Sequence, residues 1–407
     1  FEAVARIAAE VTGPVIASLA RTHPDDIDRA ADALQKADRR RIHVFISTSQ
    51  IHREQMLRMS EEEVLDAITE SVTRARRYAE DVEFSPQDAT RTHPDFVIES
   101  CRRAVAAGAT TINIPDTVGY AVPSDFVALM ERVYGEVRSG NDDVIISTHC
   151  HNDLGLAVAN SLSAIQAGAR QIEGAINGLG ERAGNTSTEE IIMAIKTRED
   201  YFGVEVGADT TEIFETSRLV SRLTGYPIQY NKAIVGRNAF AHESGIHQHG
   251  VLRHPETYEI MDPTAIGHAS AIVLGKHSGR NAFRTRLEEL GHTFDSEEEL
   301  NDAFRRFKDL ADRKHEIFDE DLQVLVSETD SESVSERLRL IALRVCSETG
   351  EKPNATVTLS IDGTEKTTAA EGGGPVDAAF KAIKALVGTE AKLQLYSVNN
   401  ITSGTDA

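Results

Sequence analysis

The first two hundred residues alternate short apolar runs with longer segments in which apolar residues recur at helical spacing. The short runs, bounded by polar residues or glycine, predict buried strands, and the longer segments predict amphipathic helices. Each predicted strand is followed by a helix, which favours a parallel sheet of the (β/α)8 barrel type. The predicted strands are six, two short of a closed barrel, at 14–21, 42–49, 82–85, 110–117, 144–151 and 171–176.

This alternation stops after about residue 207, where the pattern becomes mostly helical up to an acidic stretch at 295–328. Short strands are then predicted at 338–346, 354–361 and 364–369, before a helix that ends near 387 and a further strand from Lys392. We therefore predict a barrel over 1–206, helical linker subdomains over 207–334 and the start of an α+β regulatory domain over 335–407.

Polar residues gather where the fifth predicted strand ends, in the run 148–153. The continuous apolar run 144–146 predicts a strand buried on both faces. Because residues two apart in a strand project to the same side, His149 and His151 point together and Cys150 points away. Two imidazoles on one face make half of a site for a divalent ion. The alternative is a structural or solvent-exposed histidine pair, but the glycine-rich loop 177–185 adds polar groups at the same edge.

The formal net charge of the 407 residues is −22, which argues against nucleic acid or an anionic membrane as a partner. The three cysteines, far apart in sequence, do not resemble a disulfide framework and suit a reducing cytoplasm. No apolar run approaches the length of a membrane-spanning helix. Phe1 lies within an amphipathic helix, so we expect the chain to begin inside a domain.

Two motifs carry a family resemblance: HCHNDLGLAVANSL, which starts at His149, and INGLGERAGN, which ends at Asn185. Together they resemble the 2-isopropylmalate synthase branch of the acyl-CoA-condensing, metal-dependent (β/α) barrel enzymes, and the resemblance extends over nearly the whole chain. It implies a condensation of acetyl-CoA with 2-oxoisovalerate, followed by hydrolysis of the CoA thioester, as the first step of leucine biosynthesis. Citramalate and homocitrate synthases, or a non-catalytic metal- and leucine-binding fragment, are the alternatives.

In the family, a motif of the type Asp-x-Thr-Leu-Arg-Asp-Gly-Glu-Gln on the first strand supplies a metal-binding Asp and a catalytic Arg. This motif is not among the 407 residues. The resemblance therefore implies that the first strand, first helix and second strand, about fifty residues, are missing from a complete eight-stranded barrel. It also implies that the second half of the regulatory domain is absent.

The resemblance also assigns metal and substrate residues. It makes His149 and His151 metal ligands and puts Asn185 close to the metal, with a helix N-cap as the alternative role of Asn185. Thr117 matches a substrate-carboxylate contact, with a turn hydroxyl as its alternative. His43 and Ser85 match substrate-pocket positions, although a lone histidine in a strand is more often a core residue.

Catalytic positions follow from the same resemblance. His247 matches a histidine proposed for acid–base catalysis and Tyr258 a tyrosine of the same linker region, and both reach the neighbouring subunit in the family; ordinary packing is the alternative. Gln87 takes the place of a Glu common in the family, and as an amide it can hydrogen-bond a substrate but cannot act as a base. His249 stands where Asp is common.

Glycines complete the set of candidates. Gly178, Gly180 and Gly184 are candidates for cradling the phosphates of CoA, although glycine-rich loops are common. Gly373, Gly374 and Asp377 match a leucine-binding region, with a tight turn as the alternative.

The resemblance also implies a cofactor and an assembly. The implied cofactor is a divalent metal, Mn or Mg with Zn or Co as alternatives, and K⁺ is a candidate activator. The implied assembly is a homodimer or tetramer that leucine inhibits.

Overall fold

A computed structural model of the chain describes residues 1–139, 141–242, 247, 250–251, 253–268, 278–290, 292–294, 296–313, 317, 321–322, 325–326 and 338–389. The chain divides into two compact units, Phe1–Phe283 and Arg284–Ala407. The predicted boundaries after 206 and 334 are finer than this division and remain predictions. The predicted strand from Lys392 lies outside the described residues, as does His249.

The first unit is built on six strands joined by helices. The strands are β1 (Ile16–Arg21), β2 (Arg40–Ser47), β3 (Asp81–Gln87), β4 (Thr111–Asp116), β5 (Ile145–Cys150) and β6 (Gln171–Glu173). They form one parallel sheet in the order β1-β2-β3-β4-β5-β6. The helices are α1 (Glu2–Glu10), α2 (Pro24–Ala33), α3 (Gln50–His52), α4 (Glu61–Arg76), α5 (Pro94–Ala106), α6 (Pro123–Val137), α7 (Ala157–Gln166), α8 (Thr188–Thr197), α9 (Glu199–Phe202) and α10 (Ile213–Thr224). A π-helical turn, Arg53–Leu57, follows α3.

This sheet is strongly curled. The guanidinium of Arg41 on β2 donates to Oε1 of Gln171 on β6 at 2.5 Å. Four strand spacings separate β2 from β6, about 19 Å in a flat sheet, so a direct hydrogen bond requires that the sheet bend round on itself. The predicted (β/α) barrel class is confirmed as a half-barrel of six parallel strands.

Local sequence signals set the helix starts. Ser60 caps α4 in a capping box, in which its hydroxyl accepts from the backbone N–H of Glu63 while the Glu63 carboxylate accepts from the N–H of Ser60. Proline occupies the first turn of α2, α5 and α6, where its missing N–H costs nothing.

The helices cover one face of the sheet, where even-numbered strand residues such as Ile42, Phe84 and Ile112 are fully buried. The prediction that the fifth strand is buried on both faces is wrong at Ile145, which is 41% exposed because its side chain projects to the inner side of the sheet. The inner side therefore carries polar groups, and it is the concave side of the half-barrel.

The second unit contains helix α12 (Glu297–Arg313) and a three-stranded antiparallel sheet. Helix α11 (Arg280–Glu289) spans the boundary between the two units. The strands β7 (Leu338–Cys346), β8 (Asn354–Ile361) and β9 (Thr364–Glu371) pair in sequence order and lie close to their predicted bounds. Helix α13 (Pro375–Val387) packs Ala382 against Val357 and Leu359 of the central strand.

Candidate active site

The concave face of the half-barrel is lined by polar side chains at odd-numbered strand positions. Strand alternation sends these residues inwards while their even-numbered neighbours face the helices. Most of them hydrogen-bond or pair with one another across the curled sheet. They are Arg41, His43, Glu83, Ser85, Asn113, Ser147, His149, Gln171 and Glu173.

His149 and His151 come together at the carboxyl end of β5. Their ring centroids lie 5.0 Å apart with the planes at 70°. Cys150 between them is buried on the opposite side, and burial raises the pKa of its thiol to about 12. The predicted orientation of the three residues is therefore confirmed.

Asn185 joins this histidine pair through a single antiparallel β-bridge with His151. The amide Nδ2 of Asn185 donates to the carbonyl of Leu179 at 2.9 Å. Its Oδ1 is buried and has no hydrogen-bond partner in the described part of the chain, and the same holds for Nδ1 of His151. Nδ1 of His149 is also buried, but it lies 3.2 Å from Oε2 of Glu173. The unpartnered oxygen of Asn185 and nitrogen of His151, with the second ring nitrogen of His149, form a donor set that suits a borderline divalent ion. The alternative of an N-cap role does not hold, because Ser187 is the N-cap of α8.

His43 lies deeper on the same face. Its Nε2 is 2.7 Å from Oγ of Ser85, and its Nδ1 is 3.4 Å from Oε1 of Glu173. Burial, with smaller contributions from the neighbouring His149 and Arg41, lowers the pKa of His43 to about 4 against the attraction of Glu173, so its ring is neutral at pH 7. The two predicted substrate-pocket residues, His43 and Ser85, are thus in direct contact.

Two carboxylates that the sequence did not single out complete the cluster. Ligand atoms of His43, Glu83 and Glu173 lie within 4.8 Å of one another, which makes them a second group that could hold a metal ion. Glu83 is already paired, because it accepts from Arg41 at 3.1 Å and from Gln171 at 2.7 Å. Burial and the charge of Glu173 raise the pKa of Glu83 to about 8. In the sequence, the only sign that these two residues belong to the site is that each is a Glu at an inward position of a short strand.

Thr117 and Gln87 both make contacts at the carboxyl ends of neighbouring strands. The hydroxyl of Thr117 accepts from the backbone N–H of Asp88 at 2.9 Å, which ties the loop after β4 to the loop after β3. Oε1 of Gln87 accepts from the hydroxyl of Ser47 at 2.5 Å. Asp88 has φ 66°, an uncommon value for a residue with a side chain, directly after Gln87.

The glycines of loop 177–185 serve first to close the loop on itself. Gly184 has φ +94°, and a Cβ added there would lie 2.1 Å from the carbonyl oxygen of Gly178. A Cβ on Gly180 would lie 2.5 Å from Nδ2 of Asn185. The loop, together with the segment 224–233, lines a cavity of about 600 Å³ beside Asn185.

Both cationic side chains of this cavity are neutralised. Arg182 donates to both carboxylate oxygens of Asp153, at 2.7 and 2.9 Å. The ammonium of Lys232 pairs with Glu189 at 3.1 Å and with Glu190. Among the described lining residues, the cavity therefore offers amide groups and backbone rather than free positive charge.

Three family models together match nearly the whole chain. The model described as HMGL-like matches residues 1–220, a homocitrate synthase post-HMGL domain-like model matches 234–315, and a LeuA allosteric (dimerisation) domain model matches 316–407. The 2-isopropylmalate synthase of Methylococcus capsulatus is 57% identical over 408 residues, which cover 100% of this chain and 79% of the relative. That of Thiobacillus denitrificans is 56% identical over 411 residues, covering 100% of this chain and 80% of the relative.

The chain belongs to the 2-isopropylmalate synthase family. This is an enzyme family of acyltransferases, and the predicted resemblance is confirmed. Among solved structures, the HMG-CoA lyase of Acenitobacter baumannii is 21% identical with a TM-score of 0.48, covering 58% of this chain and 78% of that one. The lyase of Pseudomonas aeruginosa is 19% identical with a TM-score of 0.47, covering 55% and 75%. None of the helices described has the length and apolar character that crossing a membrane requires.

The two remaining catalytic candidates of this 2-isopropylmalate synthase family member lie in a separate aromatic cluster. The rings of His247 and Tyr258 stack with centroids 4.1 Å apart, and His242 lies 6.1 Å from His247. Nε2 of His242 is 3.2 Å from Oε1 of Glu259. The structure brings His247 and Tyr258 together, but in the described residues their ring contacts are with each other and His242, not with the His149 pair.

The predicted regulatory residues occupy the start of α13. Asp377 accepts from the backbone N–H of Gly373 and from the ammonium of Lys381, both at 2.8 Å, and these contacts hold the pKa of Asp377 below its usual range. Gly374 is the N-cap of the helix. The three predicted residues are therefore adjacent in a tight turn before a helix, and a leucine site there remains a prediction.

Proposed function

We propose that the chain condenses acetyl-CoA with 2-oxoisovalerate to give 2-isopropylmalate and free CoA, the first step of leucine biosynthesis. The observation that supports the proposal is the group of His149, His151 and Asn185, in which Nδ1 of His151 and Oδ1 of Asn185 are buried without a hydrogen-bond partner in the described residues. They lie on the same concave face as the contacting pair His43 and Ser85. Relatives that cover the whole chain are named for this activity.

His149, His151 and Asn185 would hold a divalent ion, Mn or Mg, with Zn or Co as alternatives and K⁺ as a candidate activator. When bound, the ion supplies Lewis-acid polarisation of the ketone of the 2-oxo acid. This donor set fits such an ion because Nδ1 of His151 and Oδ1 of Asn185 are buried without a hydrogen-bond partner in the described residues, so binding the ion replaces a missing interaction.

The side chains of the pocket would bind and orient the substrate. His43 is neutral at pH 7 and can donate or accept a hydrogen bond together with Ser85. Thr117 keeps its hydroxyl proton as a donor for the substrate carboxylate, because its oxygen accepts from Asp88. Gln87 would hydrogen-bond the substrate without taking a proton.

The reaction requires removal of one methyl proton from acetyl-CoA, formation of a carbon–carbon bond to the ketone carbon, and attack of water on the thioester. We assign the proton transfer to His247, with Tyr258 stacked on it. Because these two residues make no contact with the His149 pair in the described residues, the proposal relies on a second subunit to bring them there. A homodimer or tetramer is therefore part of the proposal, and the match to a domain described as a dimerisation domain supports it.

We place acetyl-CoA at the cavity beside Asn185, which is lined by Gly178, Gly180 and Gly184. Because the cationic side chains of this cavity are already paired, the cavity suits the uncharged pantetheine arm of CoA better than its phosphates.

Leucine is the proposed inhibitor, at Gly373, Gly374 and Asp377. The three free cysteines support a reducing, cytoplasmic setting.

The test is release of CoA, followed with a thiol reagent, from acetyl-CoA with Mn or Mg and each of 2-oxoisovalerate, pyruvate and 2-oxoglutarate. Two versions of the protein are compared: residues 1–407 alone, and the same residues preceded by a segment that carries the family's Leu-Arg-Asp-Gly-Glu motif. Turnover with 2-oxoisovalerate, and only by the version that carries the motif, would support the synthase and show that the added segment is essential. Preference for pyruvate would indicate a citramalate synthase, and preference for 2-oxoglutarate a homocitrate synthase. No turnover by either version would favour the non-catalytic binding fragment.

A further inference from the structure

Glu173 joins the two predicted parts of the site. It is the last residue of β6 and is in register with His149 on β5. Its Oε2 lies 3.2 Å from Nδ1 of His149, and its Oε1 lies 3.4 Å from Nδ1 of His43. One carboxylate thus faces a predicted metal ligand with one oxygen and a predicted substrate residue with the other.

Glu173 is itself held in place. Nδ2 of Asn113 donates to its Oε2 at 3.2 Å and to the hydroxyl of Ser85 at 2.9 Å. Asn113 is 1% exposed, so it has little freedom to move away. The carboxylate, the amide and the Ser85–His43 pair form a closed ring of contacts across strands β2, β3, β4 and β6.

A carboxylate beside one ring nitrogen of a histidine fixes the orientation of the ring and directs the other nitrogen to the metal. It also makes the imidazole a better electron donor. Nε2 of His43 is occupied by Ser85, so its Nδ1 is the atom left for Glu173. The same carboxylate can therefore orient both rings at once.

We infer that Glu173 is a positioning residue that aligns His149 for the metal and His43 for the 2-oxo acid, without touching either ligand itself. The inference rests on the proposed function for the identity of both ligands. It assigns a role to a residue that neither sequence motif indicated.

The experiment compares the full chain with its Glu173→Gln variant, which keeps the shape of the side chain and removes its charge. Affinity for Mn²⁺ and Zn²⁺ is measured by competition with a chelating dye, and the KM for 2-oxoisovalerate by CoA release. Loss of a carboxylate behind a metal-bound histidine lowers metal affinity by about 10–100-fold, and we expect a loss in this range. We also expect the KM to rise, because His43 loses its support.

Gln171→Ala is the matched control. Gln171 lies two residues earlier on the same strand and faces the same side, but it contacts Glu83, Arg41 and Ser147 instead of the histidines. The metal affinity of the Gln171→Ala variant should equal that of the unaltered chain. A Glu173→Asp variant keeps the charge at a shorter reach and should recover part of the lost affinity.

Unchanged metal affinity in Glu173→Gln would overturn the inference, and so would an equal loss in Gln171→Ala. Metal binding is measured without turnover, so a chain that binds Mn²⁺ but releases no CoA would contradict the proposed function while still testing Glu173. If the unaltered chain bound no ion, both proposals would fail.

Discussion

The rings of His149 and His151 meet edge to face with their centroids 5.0 Å apart, and Nδ1 of His151 is buried without a hydrogen-bond partner in the described chain. A buried polar atom left without a partner costs about 1–3 kcal/mol. Nδ1 of His151 and Oδ1 of Asn185, which belong to residues paired by a β-bridge, therefore destabilise the fold unless something binds them. A divalent ion would satisfy both.

We predict that His149→Ala and His151→Ala each lower the affinity for a divalent metal strongly. Each variant removes a direct ligand, so the loss should exceed the roughly 10–100-fold that is typical of residues behind the ligands. Competition with a metal-sensitive dye measures the effect. Metal binding at the original affinity in either variant would refute the assignment of that histidine.

Two further variants locate the ion. His52→Ala serves as the control, because Nδ1 of His52 is also buried without a hydrogen-bond partner but its charged neighbour, at 3.4 Å, is Asp88. Glu83→Gln tests the second possible group, His43, Glu83 and Glu173. If Glu83→Gln abolished binding and His151→Ala did not, the ion would belong to that group instead.

Local patterns were sufficient to predict the elements of the barrel and the histidine pair. Strand periodicity places residues two apart on one side, so His149 and His151 could be paired before any tertiary contact was known. The Ser60 capping box likewise depends on residues three apart. Such features need only short-range geometry.

The roles of Glu83 and Glu173 could not be predicted in the same way. Glu173 meets His43 only because the sheet curls and brings β6 towards β2, a contact between residues 130 positions apart in sequence. The same curl leaves Ile145 on an uncovered inner side. Asn185 was given a helix cap as its alternative role, but the helix starts three residues later, at Thr188, and its N-cap is Ser187.

We predict that Gly184→Ala destabilises the chain more than Gly155→Ala. Both glycines have positive φ, +94° and +73°, so each alanine is strained in the left-handed region. Only at Gly184 does the new Cβ meet backbone, the carbonyl oxygen of Gly178 at 2.1 Å, whereas Gly155 faces open space. The difference in unfolding free energy, measured with urea, should be about 1–3 kcal/mol. Equal losses would mean that the loop can relax.

We predict that Gln87→Glu raises kcat. The hydroxyl of Ser47 can donate to a carboxylate as it does to Oε1 of Gln87, so the variant should keep the contact and add a group that can accept a proton. A positioned base contributes about 100-fold or more to a proton transfer, and a partial gain of about tenfold is expected. CoA release with 2-oxoisovalerate measures it, with Gln87→Leu as the control that loses the hydrogen bond. An unchanged kcat would show that the proton leaves by another route, such as His247.

The unfolding free energy should fall as pH rises from about 6.5 to 8, and Glu83→Gln should remove this fall. In the folded chain the pKa of Glu83 is raised to about 8, mainly by burial, so between its ordinary value of 4.5 and pH 8 the folded state binds a proton that the unfolded state has lost. Up to pH 6.5 His43 acts in the opposite direction, because its pKa is lowered to about 4 and only the unfolded ring is protonated.

Above pH 6.5 only the contribution of Glu83 remains of these two, and over 1.5 pH units it amounts to at most about 2 kcal/mol. Urea unfolding in the presence of a chelator, at several pH values between 6.5 and 8, measures the slope without a bound ion. If the unfolding free energy of Glu83→Gln fell with pH as much as that of the unaltered chain, a group other than Glu83 would hold the proton in the folded state.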